Sequence, residues 1–133
     1  MTFGLTGGAA PVGRLDVAVD GVRSAKGLIQ VCLTADPGNF PGCIDDADAV
    51  TRRVPAKTRS VSFDGLPAGT YAVAIIHDEN GNNQLDTFAG IPREGFGFSR
   101  NPRIGFGPPR FTAAQFHLTG DAAVQQVRMR YIL

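Results

Sequence analysis

Alternation of apolar and polar residues with a period of two runs through this chain, and no long stretch repeats at helical spacing. Leu15, Val17 and Val19 alternate with Asp16, Ala18 and Asp20, and Ile29, Val31 and Leu33 form a second apolar face. Val61 and Phe63 mark a short strand that ends at Gly65-Leu66-Pro67-Ala68-Gly69. Thr70 to His77 is apolar on both faces, as expected of a central strand covered from two sides. Phe116 and Leu118 alternate with Gln115 and His117, while Val127, Met129 and Tyr131 alternate with Gln126, Arg128 and Arg130 in a last strand. A weaker strand runs from Val50 to Ala56. The pattern predicts an all-β domain of about seven short antiparallel strands, the count of a Greek-key sandwich.

Two regions break the alternation. Asp36 to Ala49 carries Asp45, Asp46 and Asp48 and is expected to hold a short helical turn. The three aspartates are read as a solvated acidic turn, with a second cation site as the sharper alternative. Thr87 to Arg110 is a long Gly/Pro/Phe-rich stretch, predicted as a loop that is functional or packed on itself. Residues 1–12, small and Gly-rich, are expected to be a disordered leader, and 13–133 a single β-sandwich domain.

Composition narrows the class. A hydrophobic share of 43% in 133 residues supports one core without help from metals or oligomerisation. The formal net charge of +1 argues against a nucleic-acid binder, which usually carries a strong basic excess. No segment approaches the roughly 20 apolar residues of a membrane-spanning helix. The opening Met1-Thr2-Phe3-Gly4-Leu5 has neither a basic nor an apolar leader region. That leaves a cytoplasmic protein, or one whose signal peptide has been removed. Cys32 and Cys43 flank a turn-rich segment, which suits a disulfide worth about 3 kcal/mol and an oxidising compartment. Unpaired structural thiols are the alternative; the spacing fits neither a redox pair nor a zinc knuckle.

The sharpest chemical signal follows the central strand, in His77-Asp78-Glu79-Asn80-Gly81-Asn82-Asn83-Gln84-Leu85-Asp86. Asp78, Asn80, Asn82 and Asp86 fall at loop positions one, three, five and nine, and Gln84 at seven offers a backbone carbonyl. Alternate residues of a tight loop converge on one point, which is how a short loop wraps oxygen ligands around calcium. Glu79 and Glu94 are candidates to complete the shell. Asn83 stands at position six and Ala89 at twelve, where a helix–loop–helix site would carry Gly and a bidentate Glu. Affinity in the extracellular range, about 10⁻⁴ to 10⁻³ M, is the expectation. The competing account is a connection rich in Asx turns, or a plain hairpin turn at Asn80-Gly81.

Phe63-Asp64-Gly65-Leu66-Pro67-Ala68-Gly69-Thr70-Tyr71-Ala72-Val73 resembles the strand–turn–strand signature of prealbumin-like and collagen-adhesin B-type sandwich domains. The continuation through His77-Asp78-Glu79-Asn80-Gly81-Asn82, Gly90-Ile91-Pro92-Arg93-Glu94-Gly95-Phe96-Gly97-Phe98-Ser99 and Phe106-Gly107-Pro108-Pro109 looks like the bacterial family of exported proteins called domain of unknown function 2141. The acidic loop also looks like calcium loops of surface-adhesin repeats. The resemblance implies an immunoglobulin-like sandwich, a signal peptide upstream, and a periplasmic or extracellular location. It implies no activity.

Catalytic signals are thin. His77 precedes a carboxylate at a strand end, but alternation puts it on the face of Tyr71, Val73 and Ile75, which favours a hydrogen-bonded rim histidine. His117 falls on a polar face. No Ser or Cys sits in a nucleophile elbow. The prealbumin-like hydrolases of urate breakdown end in Tyr-Arg-Gly-Ser, whereas this chain ends Arg130-Tyr131-Ile132-Leu133. Arg93, Arg100, Arg103 and Arg110 stud the Phe-rich stretch, either as an anion-binding surface or as cover for packed phenylalanines. The leading expectation is a non-catalytic exported binding or structural module with a calcium-organised loop at 78–86. The alternatives are a hydrolase-like enzyme acting on a small anionic or sugar-like substrate through His77 and the loop arginines, and a subunit of a cell-surface assembly.

Overall fold

The computed structural model describes residues 12–42, 49–82, 87–88, 91–105 and 107–133. It is an all-β fold whose two main sheets enclose a common core. The first sheet has the order β10-β1-β4, made of β1 (Val12–Asp20), β4 (Ser60–Pro67) and β10 (Ala122–Arg128). The second has the order β3-β2-β5-β8, made of β2 (Leu28–Thr34), β3 (Val50–Pro55), β5 (Gly69–Asp78) and β8 (Gly95–Phe98). A short strand β9 (Phe116–Leu118) pairs with the start of β5, and β6 (Thr87–Phe88) pairs with β7 (Ile91–Pro92) as a separate ribbon.

The period-two residues meet where the alternation places them. Leu15, Val17, Val61, Phe63 and Val127 of the first sheet pack against Ile29, Val31, Leu33, Val73 and Ile75 of the second. Each such side chain contributes about 1.5–3 kcal/mol by leaving water. The apolar run of β5 is explained by a second layer. Ala72 and Ala74 point away from the main core and meet Phe96, Phe98, Phe111 and Ala114, with Phe40 stacked edge-on against Phe98 and Phe111. Phe111 and Ala114 come from a single helical turn, α1 (Phe111–Ala114). Alanine is what β5 can carry there, because the aromatic rings fill the space beyond it.

Three expectations are corrected. Ten strand segments are described in place of about seven, because the stretch from Thr87 to Arg110 is not one loop. It contains β6, β7 and β8, and β8 adds to the edge of β5 through Ala74↔Phe98 and Ile76↔Phe96. The sandwich is also not wholly antiparallel: β1 and β10 run parallel, from Arg14↔Ala122 to Asp20↔Arg128. The last strand is Ala122–Arg128 and stops before Tyr131, with Arg130 making an isolated bridge to Phe96. Its burial pattern explains the misplacement, since inward-facing apolar residues continue past the end of the ladder at Met129. The expected short helical turn is present as a 3₁₀ turn over Pro37–Asn39, capped by the Asp36 side chain. Asp45, Asp46 and Asp48 lie outside the described residues, as do residues 1–11; β1 begins at Val12, the last residue assigned to the leader.

The alternating glycines of β8 have a packing reason. Its phenylalanines face the outer layer, so Gly95 and Gly97 face the C-terminal segment at close range. A Cβ at Gly95 would overlap the Tyr131 ring, and one at Gly97 would come within 2.8 Å of Val127 Cγ1 and 3.1 Å of Met129 Sδ. Gly97→Ala is therefore expected to destabilise by about 1–3 kcal/mol in denaturant unfolding. Gly105→Ala, where a Cβ meets nothing within 4 Å, should change stability by under about 0.5 kcal/mol. Equal effects of the two substitutions would refute this account of β8.

Candidate functional site

The end of β5 carries His77 and Asp78 into the turn that begins the acidic segment. His77 is fully buried, with both ring nitrogens engaged. Nε2 lies 2.8 Å from the Lys26 carbonyl oxygen and Nδ1 lies 2.8 Å from the Tyr131 hydroxyl. A carbonyl only accepts, so Nε2 donates its proton to Lys26, and Nδ1 shares a hydrogen bond with the hydroxyl. That hydroxyl in turn accepts the Arg23 backbone N–H at 3.1 Å. The imidazole is thus a three-way brace between the β1–β2 connection, β5 and the chain after β10.

Arg23 closes the same end. Its guanidinium makes a two-point pair with the Glu79 carboxylate, lies 4.4 Å from the centroid of the Tyr131 ring, and donates to the backbone oxygens of Leu133 and Arg93. Ser24 Oγ donates to the second Glu79 oxygen at 3.0 Å. The Arg23 hydrogen bond holds the Glu79 carboxyl below the usual carboxylate range, against the opposing pull of desolvation. Burial pushes the Tyr131 phenol up. The backbone N–H of Glu79 donates to the buried Glu94 carboxylate at 2.7 Å, which ties the turn to the residue before β8.

The predicted loop residues divide. Asp78 is buried, and its Oδ1 accepts the Asn82 N–H at 3.1 Å; Asn80 Oδ1 accepts the same N–H at 3.2 Å. Both side-chain oxygens are thus used on one backbone amide, as in Asx turns, and the backbone closes by Gly81 N–H to the Asp78 carbonyl at 3.4 Å. Gln84 and Asp86 lie outside the described residues, with Asn83, Leu85 and Ala89. Glu79 is turned to Arg23 and Ser24, whereas Glu94 sits at the base of the turn. Among the described residues, no three His, Cys, Asp or Glu groups are placed to hold a metal ion.

The four arginines lie in the segments around β8 and α1. Arg93 precedes β8, Arg100 follows it and reaches the Gln115 carbonyl at 3.4 Å, and Arg110 precedes α1. All four are exposed. A groove of about 490 Å³ lined by Leu33, Val50, Leu66, Pro67 and Tyr71 opens near the start of β5, at the end of that strand remote from His77. His117 bonds only Thr70 Oγ1 at 2.9 Å on the surface. Cys32 is buried in β2 and is not a free thiol, and Cys43 lies outside the described residues.

Residues 17–126 match the model of a family described as "uncharacterized protein conserved in bacteria (DUF2141)". The chain belongs to this family. No curated protein and no solved structure matches it. The DUF2141 match spans every strand of both sheets at least in part, and it includes the whole β5–turn–β8 unit.

Sequence reasoning missed Arg23 and the bracing role of Tyr131. Arg23 reaches Glu79 across 56 residues and Leu133 across 110, and nothing local in Gly21-Val22-Arg23-Ser24 announces it. Because the Glu79 carboxyl is held low, its contribution is present above the ordinary glutamate pKa and is lost as pH falls through the depressed value. Glu79→Gln is expected to cost about 1 kcal/mol at neutral pH and to flatten the acid limb of stability below about pH 4.5. Unfolding midpoints measured from pH 7 to pH 3 for both proteins check this; parallel curves would exclude the pairing as an acid-sensitive contact.

Proposed function

We propose that this DUF2141 protein is a non-catalytic exported module, binding or structural, whose 78–86 segment is ordered by calcium. The observation that supports the reading is that Asp78 Oδ1 and Asn80 Oδ1 lie close enough at the end of β5 to share the Asn82 N–H, which a cation would displace. A cation seated there would take Asp78 and Asp86 as charged ligands, Asn80 and Asn82 as neutral oxygens and the Gln84 carbonyl. Glu94, already at the base of the turn, is the closing carboxylate this reading favours over Glu79. The non-catalytic part rests on His77, whose two nitrogens are committed to Lys26 and Tyr131 and whose ring has no exposed surface. A general base needs a free lone pair within reach of substrate. The same reading takes the two-sheet fold as prealbumin-like and the location as periplasmic or extracellular, with a Cys32–Cys43 disulfide.

Calcium binding to the folded state alone raises stability by RT ln(1 + [Ca²⁺]/Kd). With a Kd near 10⁻⁴ M, calcium at ~10 mM adds about 2.7 kcal/mol, a rise in Tm of roughly 5–10 °C. Asp78→Asn, which keeps the shape and removes the charge, should lose most of that rise. A parent Tm indifferent to calcium and to chelator would remove the metal from the proposal. Thiol titration of the denatured, unreduced chain should find no reactive thiol, and two after reduction; two before reduction would rule out the disulfide.

A further inference from the structure

β10 is the outer strand of its sheet, and its outward-facing backbone groups belong to the even-numbered residues, since Met129 N–H donates to Asp20 on β1. Arg130 exchanges two hydrogen bonds with Phe96, at 2.8 and 3.1 Å. Two further outward groups are taken by one side chain. Asn101 Nδ2 donates to the Gln126 carbonyl at 3.0 Å, and Asn101 Oδ1 accepts the Arg128 N–H at 2.8 Å. One carboxamide thereby supplies the donor and acceptor that a neighbouring strand would supply. Only one orientation of the amide satisfies both contacts. The chain adopts left-handed backbone at two successive non-glycine residues to place it, φ 65° at Arg100 and 47° at Asn101. Asparagine tolerates that region better than most residues, and arginine does not.

The other exposed edges carry their own deterrents to pairing. β3 has Arg52 and Arg53 and ends at Pro55; β4 has Asp64 and ends at Pro67. β10 reads Ala-Ala-Val-Gln-Gln-Val before Arg128, six residues without charge or proline, with Val124 66% exposed. Such a segment on an open edge is a template for another strand. Any edge strand is self-complementary in the antiparallel sense about a two-fold axis. We propose that the β10 edge is a latent self-association surface, and that Asn101 keeps it closed to a second copy of this chain. Ala122 and Val124 provide the first rungs of that pairing, and the Asn101 carboxamide blocks its continuation through Gln126 and Arg128.

The test compares the full chain with Asn101→Gly and Asn101→Asp. The glycine variant removes the carboxamide while relieving the backbone; the aspartate variant keeps the shape but turns an oxygen toward the Gln126 carbonyl. Both are expected to shift from monomer to dimer in sedimentation at protein concentrations where the parent stays monomeric. In the dilute monomer, amide exchange at Arg128 should quicken about tenfold, as expected for loss of one hydrogen bond. Adding Val124→Lys to Asn101→Gly should restore the monomer. Folded variants that stay monomeric, a parent that is already dimeric, or dimers indifferent to Val124→Lys would each overturn the proposal.

Discussion

Burial of β5 on both faces is the constraint from which the rest of the molecule follows. A strand covered on one side only can alternate apolar and polar residues; β5 cannot. Val73 and Ile75 belong to the main core, while Ala72 and Ala74 belong to the phenylalanine layer outside it. Every backbone group of such a strand must also find a partner, because water reaches neither face. β2 pairs along one edge from Leu28↔Asp78 to Thr34↔Ala72, and the other edge is shared between β9 and β8. Ser99 completes this edge from just beyond β8: its hydroxyl accepts the Val73 N–H at 2.9 Å and donates to the Ala114 carbonyl. The strand so fixed delivers His77 and Asp78 to one place with little freedom.

What surrounds that place is a set of polar groups that answer one another. His77 is satisfied by a carbonyl and a hydroxyl, that hydroxyl by the Arg23 amide, and the Arg23 guanidinium by Glu79, two carbonyls and an aromatic face. A polar network whose members are all satisfied holds its geometry, here running from buried His77 out to exposed Arg23. Arg23 is suited to the task because its planar fork meets a carboxylate at two points and still presents a face to Tyr131. The result is a rigid platform beneath the Asp78–Asn82 turn, with Asn80 and Asn82 exposed at its rim.

The strands were legible because burial imposes a period of two wherever one face meets a core. Leu15, Val17, Val61 and Phe63 announce themselves this way, and so does the doubly covered β5. Gly95-Phe96-Gly97-Phe98 was not legible as a strand, although it alternates. Glycine supplies no apolar face to read, and its role appears only when the Tyr131 and Val127 side chains are seen opposite. The turn after β5 was legible as a connection rich in Asp and Asn, and Asp78 and Asn80 there accept the Asn82 N–H as Asx turns do. Arg23 was not, because a contact spanning 56 residues leaves no trace in local pattern. The parallel pairing of β1 with β10 escaped for the same reason: alternation reports faces and says nothing about neighbours.

That parallel pair has a consequence for how the chain acquires its structure. Seven register pairs join residues 14–20 to residues 122–128, so two of the three strands in the wall over one side of the main core come from the two extremes of the described sequence. Contacts of such sequence separation are slow to form, since a long loop must close before they repay its entropy. On the ribosome, Leu15, Val17 and Val19 emerge about a hundred residues ahead of Val127 and wait with that edge of β1 bare. Nascent chains therefore carry an unpaired β1 edge over that interval, in which a holding chaperone has something to bind.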